Sequence, residues 1–316
     1  MDQHEFTCGR RYFRNDQEYQ RWFEIRSKGF GEWYVPPNPA WSLTNNRHVA
    51  NCKAALFPDF FHQIRTANGL AVGYLATVPG YWSGDVQSLH TADYIDETLQ
   101  FRDAKLLALT AAYVLTVEWL RMPALFERLA SKVRAGRQAG ANAVFLIAIS
   151  VDPEYRKHKL PTLLIGSAKQ AAQRLGFDYV ASPFRPNGYG AYKAERKLAH
   201  TDALFTEYCG MTNPDSLPVD PWLRNVVRHG ARLVKPASRS LSIKGSLAKF
   251  DQLRKSFRPN DWYSPATDVW ECGETGTWYI DRARRLAMSV ESNCWGVFDL
   301  RHPGTAGHAP QPPQSA

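Results

Sequence analysis

Arg156, Lys157, His158 and Lys159 are consecutive and sit directly ahead of a segment that opens on Pro161 and continues with helical spacing. A helix N-terminus presents unpaired backbone N–H groups and the positive end of the helix dipole. Cationic side chains added there, beside the first-turn residues Leu160 and Thr162, make a site for a phosphate. A second polar group follows a later apolar run: Arg185-Pro186-Asn187 is turn chemistry just past a strand end. There Arg185 has two readings of equal weight, bidentate capture of a substrate carboxylate or a salt bridge that fixes the loop.

The elements that must position these groups are legible around them. Residues 144–151 form an apolar run of strand length, rich in β-branched residues, which suits a central strand covered on both faces. Asp152-Pro153 stops it. Residues 161–176 place Leu164, Ala168, Ala171 and Leu175 on one helical face, and Gly176 stands where a left-handed cap belongs. A short strand is expected at 178–184. Elsewhere the pattern predicts a short amphipathic helix within 17–35, a helix after Thr44 and Asn45, and a strand over 70–82 interrupted by Pro79-Gly80. Further helices are expected over 122–134 and 222–229, the latter capped by Asp220 with Pro221 in its first turn. Strands are expected over 231–243, near 269–279 and near 287–298. Residues 104–117 suit helix and strand equally. The region from 301 to 316 is Pro, Gly, Ala and Gln with no core-forming residues, and is expected to be disordered.

Composition narrows the partners. The chain has 316 residues, 44% of them hydrophobic, enough for a substantial core. A formal charge of +9 favours anionic ligands. Aromatic residues make up 13%, ten of them Trp, which invites a nucleic-acid reading through stacking. Against it, the basic residues are spread along the chain and no RNA- or DNA-binding motif is present, so most of the rings are assigned to the core. Cys8, Cys52, Cys209, Cys272 and Cys294 are far apart and odd in number, which predicts free thiols and neither a disulfide framework nor a metal site. The N-terminal residues are polar, and no apolar run approaches the roughly 18 residues of a membrane span, so the expectation is a cytoplasmic protein without a membrane partner.

Strand, charged turn, helix, second strand and a Tyr-bearing segment occur here in the order seen in the GNAT acyltransferase superfamily. SVDPEYRKHKLPTLLIGSAKQAAQRLG resembles that family's acyl-CoA motif, in which V-x-P-x-x-R leads into R-x-x-G-x-G and a helix whose first-turn amides hold the CoA diphosphate. SPFRPNGYGAYK, LPVDPWLRNVVRHGARLVKPASRSLSI and the closing ESNCW are similar to a bacterial GNAT-like subgroup with an enlarged C-terminal part. The resemblance covers about residues 70–298. It implies an α/β (α+β) fold, with a mixed, mostly antiparallel central sheet flanked by helices. The implied organisation is an aromatic-rich extension over 1–69, an acyltransferase domain over 70–300 and a tail over 301–316.

The resemblance also implies acetyl-CoA or another acyl-CoA as co-substrate, no metal, and an amine of a small molecule as acceptor. Backbone N–H groups of the central strand, around Ile149 to Val151, would polarise the thioester carbonyl. Tyr192 or Tyr189 would protonate the leaving thiolate. Glu118, His48 and His90 are the candidate general bases. Arg156, Lys157, His158, Lys159, Leu160 and Thr162 would hold the diphosphate, and Arg185 and Asn187 the acceptor. One departure bears on the donor: Lys159 and Pro161 stand where the motif has glycines. Side-chain charge replacing amide contacts, a carrier-bound acyl donor, and loss of catalysis in favour of ligand binding all remain open.

Overall fold

The computed structural model describes residues 6–27, 46–89, 104–273 and 276–301. The chain begins with β1 (Phe6–Arg10), α1 (Asp16–Ser27) and α2 (Arg47–Leu56), then β2 (Phe61–Thr66) and β3 (Ala71–Gly80). Asn46 starts α2 by accepting the Val49 N–H at 3.0 Å. Residues 104–117 resolve as helix: α3 (Ala104–Tyr113) runs into a π-helical turn, Val114–Trp119, ahead of α4 (Pro123–Gln138). Next come β4 (Ala143–Val151), α5 (Leu160–Arg174) and β5 (Tyr179–Phe184), followed by α6 (Tyr189–Arg196), α7 (Asp202–Gly210) and α8 (Pro221–Arg228). Asp220 caps α8 through Trp222 N–H at 2.9 Å and Leu223 N–H at 3.0 Å. The remainder is β6 (Arg232–Ser246), α9 (Leu247–Ser256), β7 (Tyr263–Ala266), β8 (Val269–Cys272), β9 (Gly276–Asp281) and β10 (Leu286–Asp299).

These strands form one sheet in the order β1-β2-β3-β4-β5-β10-β9-β8-β7, with β6 on β10. Every pairing is antiparallel except β4 with β5. β10 is the spine. Its Cys294–Asp299 half pairs with β5 and its Leu286–Val290 half with β9, while β6 runs along the whole strand. Residues 1–69, expected as an extension, contribute β1 and β2 to this same sheet. Neither strand was anticipated, because Phe61–Thr66 has polar residues inside a helix-like stretch.

The main core joins Cys52, Leu56 and Phe57 of the α2 region to Leu75, Leu146 and Leu164, beneath α5. A separate cluster of Phe250, Leu253, Trp278 and Ala287 supports the β7–β9 arm. Trp278 and Trp295 are fully buried, so these rings serve packing, each worth roughly 2–3 kcal/mol of transfer free energy. Among the described residues no helix is long and apolar enough to cross a membrane and no group of metal-binding side chains assembles.

Candidate functional site: a forked sheet beside a basic turn

On one edge β4 pairs with β3, Leu75 opposite Ile149 and Gly73 opposite Val151, and a bulge leaves Ile147 as the extra residue. On the other edge it pairs with β5 only at Ala143↔Tyr179, Val144↔Val180 and Phe145↔Ala181. Beyond Phe145 the strands part. At the fork the Ser182 hydroxyl donates to the Leu146 carbonyl at 3.2 Å. The Asp152 N–H donates to the Val72 carbonyl at 2.9 Å, and main-chain groups alternate sides along a strand. Ser150 and Ala148 therefore also face β3, while the N–H and C=O groups of Ile149 and Val151 face the opening left by β5.

Both strands deliver their C-terminal ends to one rim. From β4 the chain enters a 3-10 turn, Pro153–His158, capped by Asp152, whose Oδ1 accepts the Glu154 N–H at 3.1 Å. Asp152 is buried and its other oxygen takes a hydrogen bond from Arg21, so α1 is fastened to this turn. Lys159 then adopts φ 56° and ψ 24°, the left-handed region, and α5 begins. The conformation is the one a glycine takes without penalty. Arg156, Lys157 and Lys159 are exposed and make no ion pair among the described residues. The His158 ring lies against Phe6 at 5.2 Å and Tyr155 at 6.0 Å. Leu160 is fully buried. The Thr162 N–H turns back to the Lys159 carbonyl at 3.0 Å, and its hydroxyl meets His229 Nε2 at 2.9 Å. Positive charge at this helix start comes chiefly from side chains.

From β5 the chain enters α6. Tyr189 and Tyr192 lie on it in different surroundings. Tyr189 is buried, its hydroxyl 3.0 Å from His200 Nδ1 and its ring packed on Phe205 and Tyr208. Burial raises its pKa, and the carboxylate of Glu271 adds to the rise. Tyr192 is half-buried, with its ring on Tyr208 and the Arg196 guanidinium 4.3 Å above it. Arg185 forms an ion pair with Glu291 at 3.0 Å, and Asn187 is exposed.

Two of the general-base candidates, His48 and Glu118, lie on α2 and in the π-helical turn. Glu118, in the π-helical turn, lies 2.9 Å from His48 Nδ1 and 3.8 Å from Arg47. Its Oε1 is buried without a hydrogen-bond partner among the described residues. His48 also lines a pocket of about 450 Å³ with Asn46, Thr110, Val114, Leu115 and Trp119. His90 lies outside the described residues. Sequence reasoning missed Ser182 at the fork, Arg21 on the turn, and the buried Lys193–Glu271 pair beneath α6. Only Asp152, a carboxylate abutting a proline after a strand, carried a local signal, that of a turn cap.

No family model matches the chain. Among curated proteins it is 24% identical over 191 residues to the arginine N-acetyltransferase avaD of Aspergillus versicolor, an alignment covering 53% of this chain and 59% of that protein. The chain thus matches less than two thirds of that relative's length. Among solved structures, the loading GNATL domain of CurA from Lyngbya majuscula superposes with a TM-score of 0.47 at 13% identity, covering 94% of this chain and 98% of that one. A GphF GNAT-like decarboxylase in complex with isobutyryl-CoA gives 0.45 at 16% identity, covering 94% and 100%. Over about half of its length the chain is thus similar to an N-acetyltransferase, and its own sheet has β4 forking from β5 ahead of α5.

Proposed function

We propose that this chain transfers an acyl group from a CoA-type thioester to the amine of a small molecule. The observation that carries the reading is the free main-chain edge of Ile149 and Val151 where β5 has diverged. N–H groups held there face a thioester carbonyl without reorganising, and they stabilise the oxyanion that forms as the amine attacks. Arg156, Lys157 and Lys159, with His158 behind them and Leu160 and Thr162 opening α5, attract the diphosphate by charge. As the tetrahedral species collapses, the C–S bond breaks and the thiolate takes a proton from a tyrosine. Tyr192, half-buried and without the His200 contact that engages Tyr189, suits that role better. Glu118 with His48 is the candidate base for the amine, and Arg185 and Asn187 at the rim are candidates for acceptor contact. The kinship with an arginine N-acetyltransferase makes arginine a first acceptor to try.

Calorimetry with acetyl-CoA and longer acyl-CoAs tests the donor, and release of free thiol with a panel of small amines tests the transfer. Failure of every acyl-CoA to bind would sink the donor assignment. A second reading draws on Pro161, which lacks an N–H, and on Thr162, whose amide and hydroxyl are engaged within the chain. These leave fewer donors for a diphosphate and favour an acyl group on a carrier protein, or ligand binding without turnover. Turnover of a phosphopantetheine thioester but not of acyl-CoA selects the first, and binding without turnover the second.

A further inference from the structure

We propose that the buried ion pair between Lys193 and Glu271 is a positioning device for Tyr192, by which the β7–β9 arm sets the rotation and height of α6. The inference rests on the acyltransferase reading and on Tyr192 as its proton donor.

α6 has eight residues, too few to hold a helix unaided in water. Its geometry is therefore set by what it is fastened to. Lys193 Nζ donates to Glu271 Oε2 and, at 3.1 Å, to Thr277 Oγ1; the two charged side chains are 4% and 2% exposed. The other Glu271 oxygen accepts the His200 N–H at 3.0 Å, and His200 Nδ1 meets the Tyr189 hydroxyl one turn back on α6. The helix and the residues after it are thus tied to β8 and β9 through one carboxylate. Two further contacts reinforce the join. Tyr263 of β7 donates to the Leu198 carbonyl at 3.1 Å. Gly190 lies so close to Gly273 that a Cβ on it would come within 2.5 Å of the Gly273 oxygen.

Stability alone does not call for an ion pair here. A well-packed apolar pair of similar volume generally holds a fold as well as or better than a buried salt bridge, because the charges lose their hydration. What the ion pair adds is direction: its hydrogen bonds fix where Lys193 points. Tyr192 is the neighbouring residue, about 100° around the helix, so fixing Lys193 fixes the line along which the Tyr192 hydroxyl projects. Neither partner touches Tyr192 in the contacts described above.

The test is a cycle of kinetic measurements on the unmodified chain, Tyr192→Phe, the paired replacement Lys193→Met with Glu271→Leu, and all three substitutions together. The paired replacement removes both charges at once and leaves no orphaned ion. We expect it to lower kcat by about ten- to hundredfold, the cost of a misplaced reacting group, with the KM for acyl-CoA within about twofold of the parent. Combined with Tyr192→Phe it causes no further fall in kcat, since its effect passes through the hydroxyl that is already gone. An unchanged kcat in the paired variant, or a fully multiplicative loss in the combined one, overturns the proposal. Should circular dichroism show the paired variant unfolded, Glu271→Gln enters the same cycle with the same expected non-additivity. If Tyr192→Phe leaves kcat intact, this inference fails while acyl transfer stands. If the unmodified chain turns over no thioester, both fall.

Discussion

Replacing Lys159 by glycine tests the turn in a way that separates shape from charge. Lys159 sits at φ 56° and ψ 24°, a region that costs a residue with a Cβ about 1–2 kcal/mol. Glycine removes that cost but loses about 0.5–1 kcal/mol through the greater freedom of its unfolded chain. The balance is a stabilisation of about 0.5–1 kcal/mol, or a rise of roughly 1–1.5 °C in Tm for a chain of this size. Lys159→Ala removes the same charge and keeps the Cβ, so the strain stays and Tm remains near that of the parent. Affinity adds a second comparison. Each variant loses one exposed cation, which weakens CoA binding by about three- to fivefold, but glycine lets the backbone approach a phosphate and recovers part of the loss. Lys159→Gly is therefore expected to exceed Lys159→Ala in both thermal stability and CoA affinity, measured by differential scanning calorimetry and by titration calorimetry. Equal Tm values for the two would mean that residue 159 is not left-handed in solution.

Arg156→Ala combined with Lys159→Ala should weaken CoA binding at least about tenfold; unchanged affinity in calorimetry would put the diphosphate elsewhere. His200, buried and beside Lys193, has its pKa lowered from 6.5 to about 4. The unfolded chain therefore binds more protons between those values, and the stability held at neutral pH, of the order of 3 kcal/mol, is lost as pH falls through that window. His200→Gln should flatten urea-unfolding stability over the same pH range, and an unaltered slope would rule His200 out as its source. Gly190→Ala forces a Cβ within 2.5 Å of the Gly273 oxygen and should destabilise by about 1–3 kcal/mol. A Tm equal to the parent's would show that α6 does not rest on that turn.

β4, α5 and β5 were legible because each carries its signal locally: an apolar run, a helical stripe ending at Gly176, and a short β-rich segment. Gly176 has φ 78°, as its place after the stripe required. The charge of the turn was equally plain in four adjacent side chains. The left-handed Lys159 was not, because nothing in a lysine announces a conformation that the passage from the 3-10 turn into α5 imposes on it. For Arg185 the sequence allows a substrate contact or a salt bridge, and the fold supplies Glu291, 106 positions away.

The tyrosines show why the remainder was hidden. Tyr189 and Tyr192 are one turn apart on the same short helix, and only their covering elements distinguish them. Phe205 and Tyr208 of α7 close over Tyr189, His200 takes its hydroxyl, and Tyr192 is left at the edge of the cluster. Lys193 reads in the sequence as an ordinary solvated lysine, between a tyrosine and AER. Its burial depends on Glu271 and Thr277, 78 and 84 residues downstream, which close over it only once β10 has joined β5 to β9. The bulge in β10 between Glu291 and Asn293 falls where β5 pairing gives way to β9. Arg185 binds Glu291 at that break, and His200 lies 3.4 Å from Ser292. The C-terminal strands therefore reach the rim of the fork through side chains that local spacing cannot pair, and substitutions far along the chain, at Glu271 or Glu291, should register at the Tyr192 end of the site.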